Sequence, residues 1–113
     1  MNYISRTSFD NYAEIAITTP RFDSNVSPIL KSELTKIFNE KASHLLIDLS
    51  ISKYCDSTGI SALLMAQRLC NQHNKSLIMY GVNDIINSIF KVSKLNSVFK
   101  IVNNKTEALQ LLN

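Results

Sequence analysis

The chain has 113 residues, 45% hydrophobic and 19% charged, a length and balance that fit one soluble domain with its own core. No apolar stretch approaches the roughly 18 residues of a bilayer-spanning helix. The opening "MNYISRTSFD" also lacks the basic-then-apolar pattern of a secretory leader, so a cytoplasmic location without membrane insertion is expected. The net charge is +3, but the nine lysines are scattered from Lys31 to Lys105, and no arginine cluster or aromatic-plus-basic stripe accompanies them. That argues against nucleic acid as a partner. Cys55 and Cys70 have no metal-site spacing and are expected to be reduced and mostly buried.

In chain order, "NYISRTSF" and "YAEIAITT" both read as strands, the second through its alternation and β-branched residues. Asp10 and Asn11 between them form a turn pair, so an N-terminal hairpin is expected. Pro20 ends the second strand, and "DSNVSP" carries capping residues. Val26, Ile29, Leu30, Leu34, Ile37 and Phe38 then recur at helical spacing, predicting an amphipathic helix over about 26–39, with Pro28 in its first turn. "HLLIDL" is a short continuous apolar run, as in a buried central strand, and "SISKYC" reads as a crossing loop.

From Ser57 to about Asn74 the period is helical again, with Ile60, Leu63, Leu64, Ala66, Leu69 and Cys70 on one broad face. "SLIMYG" predicts another buried strand. "NDIINSIFKVSKL" predicts a helix capped by Asn83 with Ile85, Ile86, Ile89 and Phe90 inward. "VFKIV" predicts a short strand, and "NKTEALQLLN" a closing helix. The order β-β-α-β-α-β-α-β-α implies an α/β fold: a mixed five-stranded sheet with parallel central strands and about four helices, in a single domain over 1–113.

In such a sheet functional groups gather outside the C-terminal ends of the strands. Three loops leave such ends early: one carries Asp23, one follows Asp48, and one is Asp56-Ser57-Thr58-Gly59 at a helix start. Asp56 or Ser57 suits an N-cap, and Gly59 allows close approach of the helix to a strand. A helix start also presents free N–H groups and a partial positive charge, which favour a phosphate. Ser57 is therefore a candidate phosphoacceptor and Thr58 a second one. Asp23 and Asp56 would repel the added charge, which suits a switch that releases a partner. As a nucleophile Ser57 would need a nearby base. His44 begins a strand at its opposite end, and His73 stands roughly 24 Å along the helix at 1.5 Å per residue. No glycine-rich phosphate loop or dinucleotide glycine triplet occurs. Three loop aspartates that cap turns are a better reading of Asp23, Asp48 and Asp56 than a metal site, so no cofactor is expected. On the same helix Ser61, Met65 and Arg68 share one stripe away from the main apolar face; Met65 is either an adaptable contact for a partner or the edge of the core.

"LLIDLSISKYCDSTGISALLMAQRLC" resembles the signature of the STAS domain, the sulfate transporter and anti-sigma factor antagonist family: a strand ending in Asp-Leu-Ser, a loop, and Asp-Ser-Ser/Thr-Gly-hydrophobic at a helix start. "TPRFDSNVSPILKSEL" is similar to the family's segment leading into its first helix, and "NDIINSIFKVSKLNSVFKIVNNKTEAL" to its closing segment. The likeness runs from about Ile15 to Leu112 and implies a STAS-like fold. Stand-alone members of this size are mostly anti-sigma factor antagonists. By that resemblance Ser57 matches the residue phosphorylated by a partner anti-sigma factor serine kinase. The unphosphorylated form binds the kinase, the phosphorylated form does not, and a phosphatase resets the cycle. Asp23 matches an aspartate beside that site that helps in partner contact, and Asp56, Thr58 and Gly59 complete the motif; helical spacing, not the resemblance, sets Ser61 and Met65 next to it as candidate partner contacts. The chain departs from the family pattern in carrying Pro20 and Arg21 for a Gly-acidic pair, Ser61 for a glycine, Asn74-Lys75 for Gly-Gly, and Lys94-Leu95 for Gly-Leu. The resemblance implies a binding module and no enzyme; the basic charge and the lack of an obvious seam give no reason to expect an obligate oligomer, so a monomer in isolation is expected. The alternative is a constitutive, non-phosphorylated cytoplasmic STAS subunit of a lipid-transport ABC complex. A receiver-like phosphoaspartate domain fits poorly, because "TSFDN" offers no acidic pair at a strand end.

Overall fold

The N-terminal strand formers pair as a hairpin. In the computed structural model, which describes residues 2–112, β1 (Ile4–Ser8) runs antiparallel to β2 (Tyr12–Ile17), with Ile4 opposite Ile17 and Ser8 opposite Ala13. The chain continues through β3 (Arg21–Phe22), α1 (Ser27–Glu40), β4 (His44–Asp48), β5 (Tyr54–Cys55), α2 (Ser57–Gln72), β6 (Leu77–Tyr80), α3 (Asp84–Val92), β7 (Lys100–Ile101) and α4 (Lys105–Leu111). Asn113, the last residue of the expected closing helix, lies outside the described residues. The main sheet has the order β1-β2-β4-β6-β7, with every pair after the hairpin parallel, so the expected mixed five-stranded α/β sheet with four helices is what the chain forms.

Burial follows the strand periods. β2 alternates half-buried and buried residues, because one of its faces packs on the core. The three central positions of β4 and all four of β6 are buried, as parallel strands covered on both faces require. On one face Ile15, Ile17, Leu45, Ile47, Leu77 and Met79 meet Leu30, Leu34 and Ile37 of α1, Leu63 and Ala66 of α2, and Ile86 and Phe90 of α3. On the other face Leu46, Ile78 and Tyr80 pack with Ala108 of α4. At about 25 cal/mol per Å² of apolar area, these two layers supply most of the drive to fold.

Two readings need correction. "SISKYC" is not only a loop: Tyr54 and Cys55 form β5, which pairs parallel with β3 as a separate two-stranded sheet, Arg21 opposite Tyr54 and Phe22 opposite Cys55. Two-residue strands have no period to read. Ile85 does not point inward but is 58% exposed. Adjacent residues on a helix lie about 100° apart, and Ile86, at the centre of the stripe with Phe90, takes the core position.

The ends of α2 and α3 show how the chain does without glycine. Asn74 and Lys94 have φ of 57° and 59°. Each closes a Schellman motif: the N–H of Lys75 donates to the carbonyl of Cys70 and that of Asn74 to Asn71, and the N–H of Leu95 donates to Phe90 and that of Lys94 to Lys91. These are the positions where the family pattern carries glycine. Here the left-handed backbone carries a side chain, at the steric cost of a β-carbon in that region.

Candidate functional site

The short β3–β5 sheet builds the corner from which α2 starts. Phe22 and Cys55 point inward and are buried, so by the two-residue period Arg21, Tyr54, Asp23 and Asp56 share the outer side. The carbonyl of Phe22 accepts the Asp56 N–H at 3.2 Å, extending the register by one residue and placing Asp23 level with Asp56. Asp56 is the N-cap of α2. Its Oδ1 accepts the N–H groups of Thr58 and Gly59 at 2.9 and 3.1 Å and the Thr58 hydroxyl at 2.6 Å. Of the two residues suited to cap this helix, the aspartate does so, and Ser57 is left free as the exposed first helical residue.

Gly59 is needed for contact and not for conformation. A β-carbon there would stand 2.6 Å from the Phe22 carbonyl oxygen and 2.8 Å from the Cys55 sulfur. The helix therefore starts directly on the floor of the small sheet. A second tie joins the two neighbouring helices: the buried Ser27 hydroxyl in the first turn of α1 donates to the Thr58 carbonyl at 2.8 Å. Asp23 shapes the entry to α1, its Oδ1 accepting the Asn25 N–H and its carbonyl those of Val26 and Ser27.

The charges at this corner are arranged around Ser57 without closing over it. The Thr58 hydroxyl, then the Gly59 and Thr58 N–H groups and the charge of Arg21, hold the Asp56 carboxyl below its ordinary value, outweighing the partial burial that raises it. Burial, with the Asp56 charge adding to it, pushes the Cys55 thiol up to about 12, so it stays protonated. His44 and His73 stand where the strand and helix directions put them, at the far ends of β4 and α2. The His44 ring accepts the Ser76 N–H, and His73 closes α2 against the Leu69 carbonyl. Neither can reach Ser57. Asp48 serves its own loop, accepting the Ser50 N–H and hydroxyl. Among the described residues no group of three His, Cys, Asp or Glu side chains gathers to hold a metal.

On α2 itself, Ser61 is exposed and accepts the Lys31 ammonium at 3.0 Å, so the stripe through Ser61, Met65 and Arg68 borders α1. Met65 is half-buried and packs on the core edge. A hollow of about 290 Å³ lies beside the corner, lined by Tyr3, Pro20, Arg21, Asp23 and Val26. It is open to solvent, a shape that suits contact with a surface.

A family model described as the Mlab, STAS domain matches residues 15–103. The chain belongs to the STAS domain family. An anti-sigma-B factor antagonist of Staphylococcus aureus is 28% identical over 104 residues, 92% of this chain and 94% of that protein. An anti-sigma-factor antagonist STAS domain protein from Planctomyces limnophilus has the same fold, with a TM-score of 0.85 at 19% identity over 100% of this chain and 99% of that one. The Bacillus cell fate determinant SpoIIAA in its phosphorylated form superposes with a TM-score of 0.76 at 12% identity, covering 97% and 99% of the two chains. At such identities the two structures show the fold alone.

Within this STAS domain, sequence reasoning brought Asp23, Asp56, Ser57, Thr58 and Gly59 to one corner, and the structure places them there. It missed the floor made by Phe22 and Cys55, the Ser27 tie, and the stacking of Arg21 on Tyr54, whose guanidinium carbon lies 4.7 Å from the ring centroid. Arg21 and Tyr54 are 33 positions apart, and only the β3–β5 register joins them.

Proposed function

We propose that this chain is an anti-sigma factor antagonist, a binding module in the cytoplasm whose state is set at Ser57. In this reading the unmodified corner docks on an anti-sigma factor that is also a serine kinase. There the Ser57 oxygen attacks the terminal phosphorus of ATP held by the kinase. The new O–P bond forms as the bond to ADP breaks, and the hydroxyl proton passes to a base on the kinase. The phosphorylated corner then loses the partner, and a phosphatase restores it. Asp23, Asp56, Thr58, Gly59, Ser61 and Met65 form the contact surface around the switch, and the isolated chain acts as a monomer.

The observation that carries this reading is the division of labour at the start of α2. Thr58 gives its hydroxyl to Asp56 and is half-buried, whereas Ser57 is exposed, and the two histidines are at the other ends of their elements. This arrangement supports reading Ser57 as a residue that is acted upon. The Staphylococcus aureus and Planctomyces limnophilus proteins, both anti-sigma factor antagonists, support this role.

Incubation with the cognate kinase and ATP is expected to add one phosphate, mapped by mass spectrometry to Ser57. Titration calorimetry with the same kinase is expected to show Ser57→Asp binding at least about tenfold more weakly than the parent chain, the scale of one unfavourable charge contact. An unmodified Ser57 together with unchanged affinity for Ser57→Asp would exclude the proposal. A second reading, a constitutive STAS subunit docked on an ATPase of a lipid transporter, is favoured by the Mlab description of the matching family model. Co-purification with an ATPase and a permease, without phosphate on Ser57, is the result it predicts.

A further inference from the structure

We propose that Arg21 is the residue that senses the modification of Ser57: it is offered to an acidic group on the partner before phosphorylation and is captured in cis by the phosphoserine afterwards. This rests on the reading of Ser57 as the modified residue and adds the side chain through which the switch acts.

Three observations place Arg21 for this task. First, it is held without being consumed. Its guanidinium lies on the Tyr54 ring at 4.7 Å and its Nε stands 3.8 Å from Asp23 Oδ2, yet the side chain is 66% exposed. Among the described residues no hydrogen bond engages its terminal nitrogens, so the fork that pairs bidentately with a phosphate or carboxylate is available.

Second, it faces the right place. The β3–β5 register sets Arg21 beside Tyr54 and Asp23 level with Asp56, one residue before Ser57. The guanidinium already leans toward that end, as its approach to Asp23 and its effect on the Asp56 carboxyl show.

Third, the helix start cannot hold a phosphate unaided. Asp56 already takes the N–H groups of Thr58 and Gly59, and Ile60 donates to the Asp56 carbonyl. That leaves the Ser57 N–H as the first-turn donor without an acceptor among the described residues. A dianion on Ser57 would otherwise face the carboxylates of Asp23 and Asp56. Arg21, already resting on an aromatic ring on the outer side of this corner, is a counter-charge at hand. Its capture withdraws a cation of the corner from a partner at the moment two negative charges are added, Lys31 being engaged with Ser61 one turn along α2. The expected partner surface therefore carries a carboxylate opposite Arg21.

The test installs phosphoserine at position 57 by genetic code expansion in the full chain, in Arg21→Gln and in Tyr54→Leu, so its outcome does not depend on whether any kinase acts on Ser57. Phosphorus NMR then follows the second ionisation of the phosphate, ordinarily near a pKa of about 6. In the parent chain it is expected about half a unit lower than in Arg21→Gln, with Tyr54→Leu in between and the difference shrinking in high salt. Arg21 and Tyr54 are exposed at this corner, so both variants are expected to fold, and a retained melting temperature verifies it. Identical titration of the parent and Arg21→Gln overturns the proposal. A shift with no kinase ever found leaves the cis capture standing and removes only the kinase reading.

Discussion

Two clusters in this molecule contain the same ingredients, an acid, a hydroxyl and a cation, and use them in opposite ways. Under α4, Glu14 accepts the Tyr80 hydroxyl at 2.6 Å on one oxygen and the Lys105 ammonium at 3.1 Å on the other. Burial first, then the bond to Glu14, pushes the Tyr80 hydroxyl well above its ordinary pKa, so it stays protonated. Each strong partner is met by another within the fold. At the start of α2, Asp56 gathers the Thr58 hydroxyl and two N–H groups on one oxygen, Arg21 lies exposed on Tyr54, and Ser57 is exposed. A closed cluster stabilises the fold. An open one keeps hydrogen-bonding capacity for something outside it. The corner combines a rigid floor with unspent polar groups, and that combination is what the proposed function rests on.

The comparison breaks most visibly if the floor is disturbed. Gly59→Ala puts a β-carbon 2.6 Å from the Phe22 carbonyl and 2.8 Å from the Cys55 sulfur. Backbone cannot yield there as a flexible side chain does, so a loss of about 2–3 kcal/mol in urea unfolding is expected, as for overpacking in a core. Loss of partner binding should accompany it, because the helix start must shift.

The closed cluster should give the next largest effect. Glu14→Ala strands the Tyr80 hydroxyl and the Lys105 ammonium and is expected to cost about 2 kcal/mol. Tyr80→Phe keeps the Lys105–Glu14 pair and should cost about 1 kcal/mol. The pH dependence separates the two. A tyrosine whose folded pKa is raised contributes stability that is fully present below its ordinary value near 10 and is lost as pH rises toward the folded value. Parent chain and Tyr80→Phe should therefore converge in stability in unfolding curves taken above about pH 10. Binding through the corner should not change in either variant.

Asp56→Ala removes the cap and is expected to cost about 1–2 kcal/mol. Its sign with pH is opposite. The folded carboxyl is held low by the Thr58 hydroxyl first and the two N–H groups next, so its contribution is present above the ordinary value of 3.8 and is lost as pH falls through the lower folded value. In urea unfolding the variant should be flatter than the parent chain below about pH 4.

How much of this was written in the sequence follows from distance along the chain. The hairpin, the buried central strands and the starts of α2, α3 and α4 rest on local period and capping, and Asp56, Asn83 and Asn104 cap as their residue types suggest. The candidate residues 56–59 are contiguous, so the motif showed them together. The floor was hidden because Phe22 and Cys55 meet through strands of two residues each, too short for a period. Arg21 on Tyr54 was hidden for the same reason. Ile85 was misread because neighbouring isoleucines compete for one inward position. The left-handed Asn74 and Lys94 were visible only as glycines missing from a family pattern. Lys94→Gly tests that last point: relieving the β-carbon at φ 59° should raise stability by about 0.5–1 kcal/mol in thermal or urea unfolding.

The smallest expected effect is the most informative about the open cluster. Ser57→Ala removes a hydroxyl that is exposed, is not the cap, and has no partner among the described residues. Stability should therefore stay within about 0.5 kcal/mol of the parent chain, well inside the cost of removing Asp56 one residue earlier. If Ser57 were instead a structural cap, its removal would cost as much as Asp56→Ala, and urea unfolding distinguishes the two at once. Modification by a kinase, by contrast, should vanish completely, because the neighbouring Thr58 hydroxyl is already given to Asp56 at 2.6 Å and is half-buried. A residue that contributes almost nothing to the fold and carries the proposed switch is what an open polar cluster on a rigid floor should contain, since a group committed to stability could not be modified without unfolding the helix start that presents it.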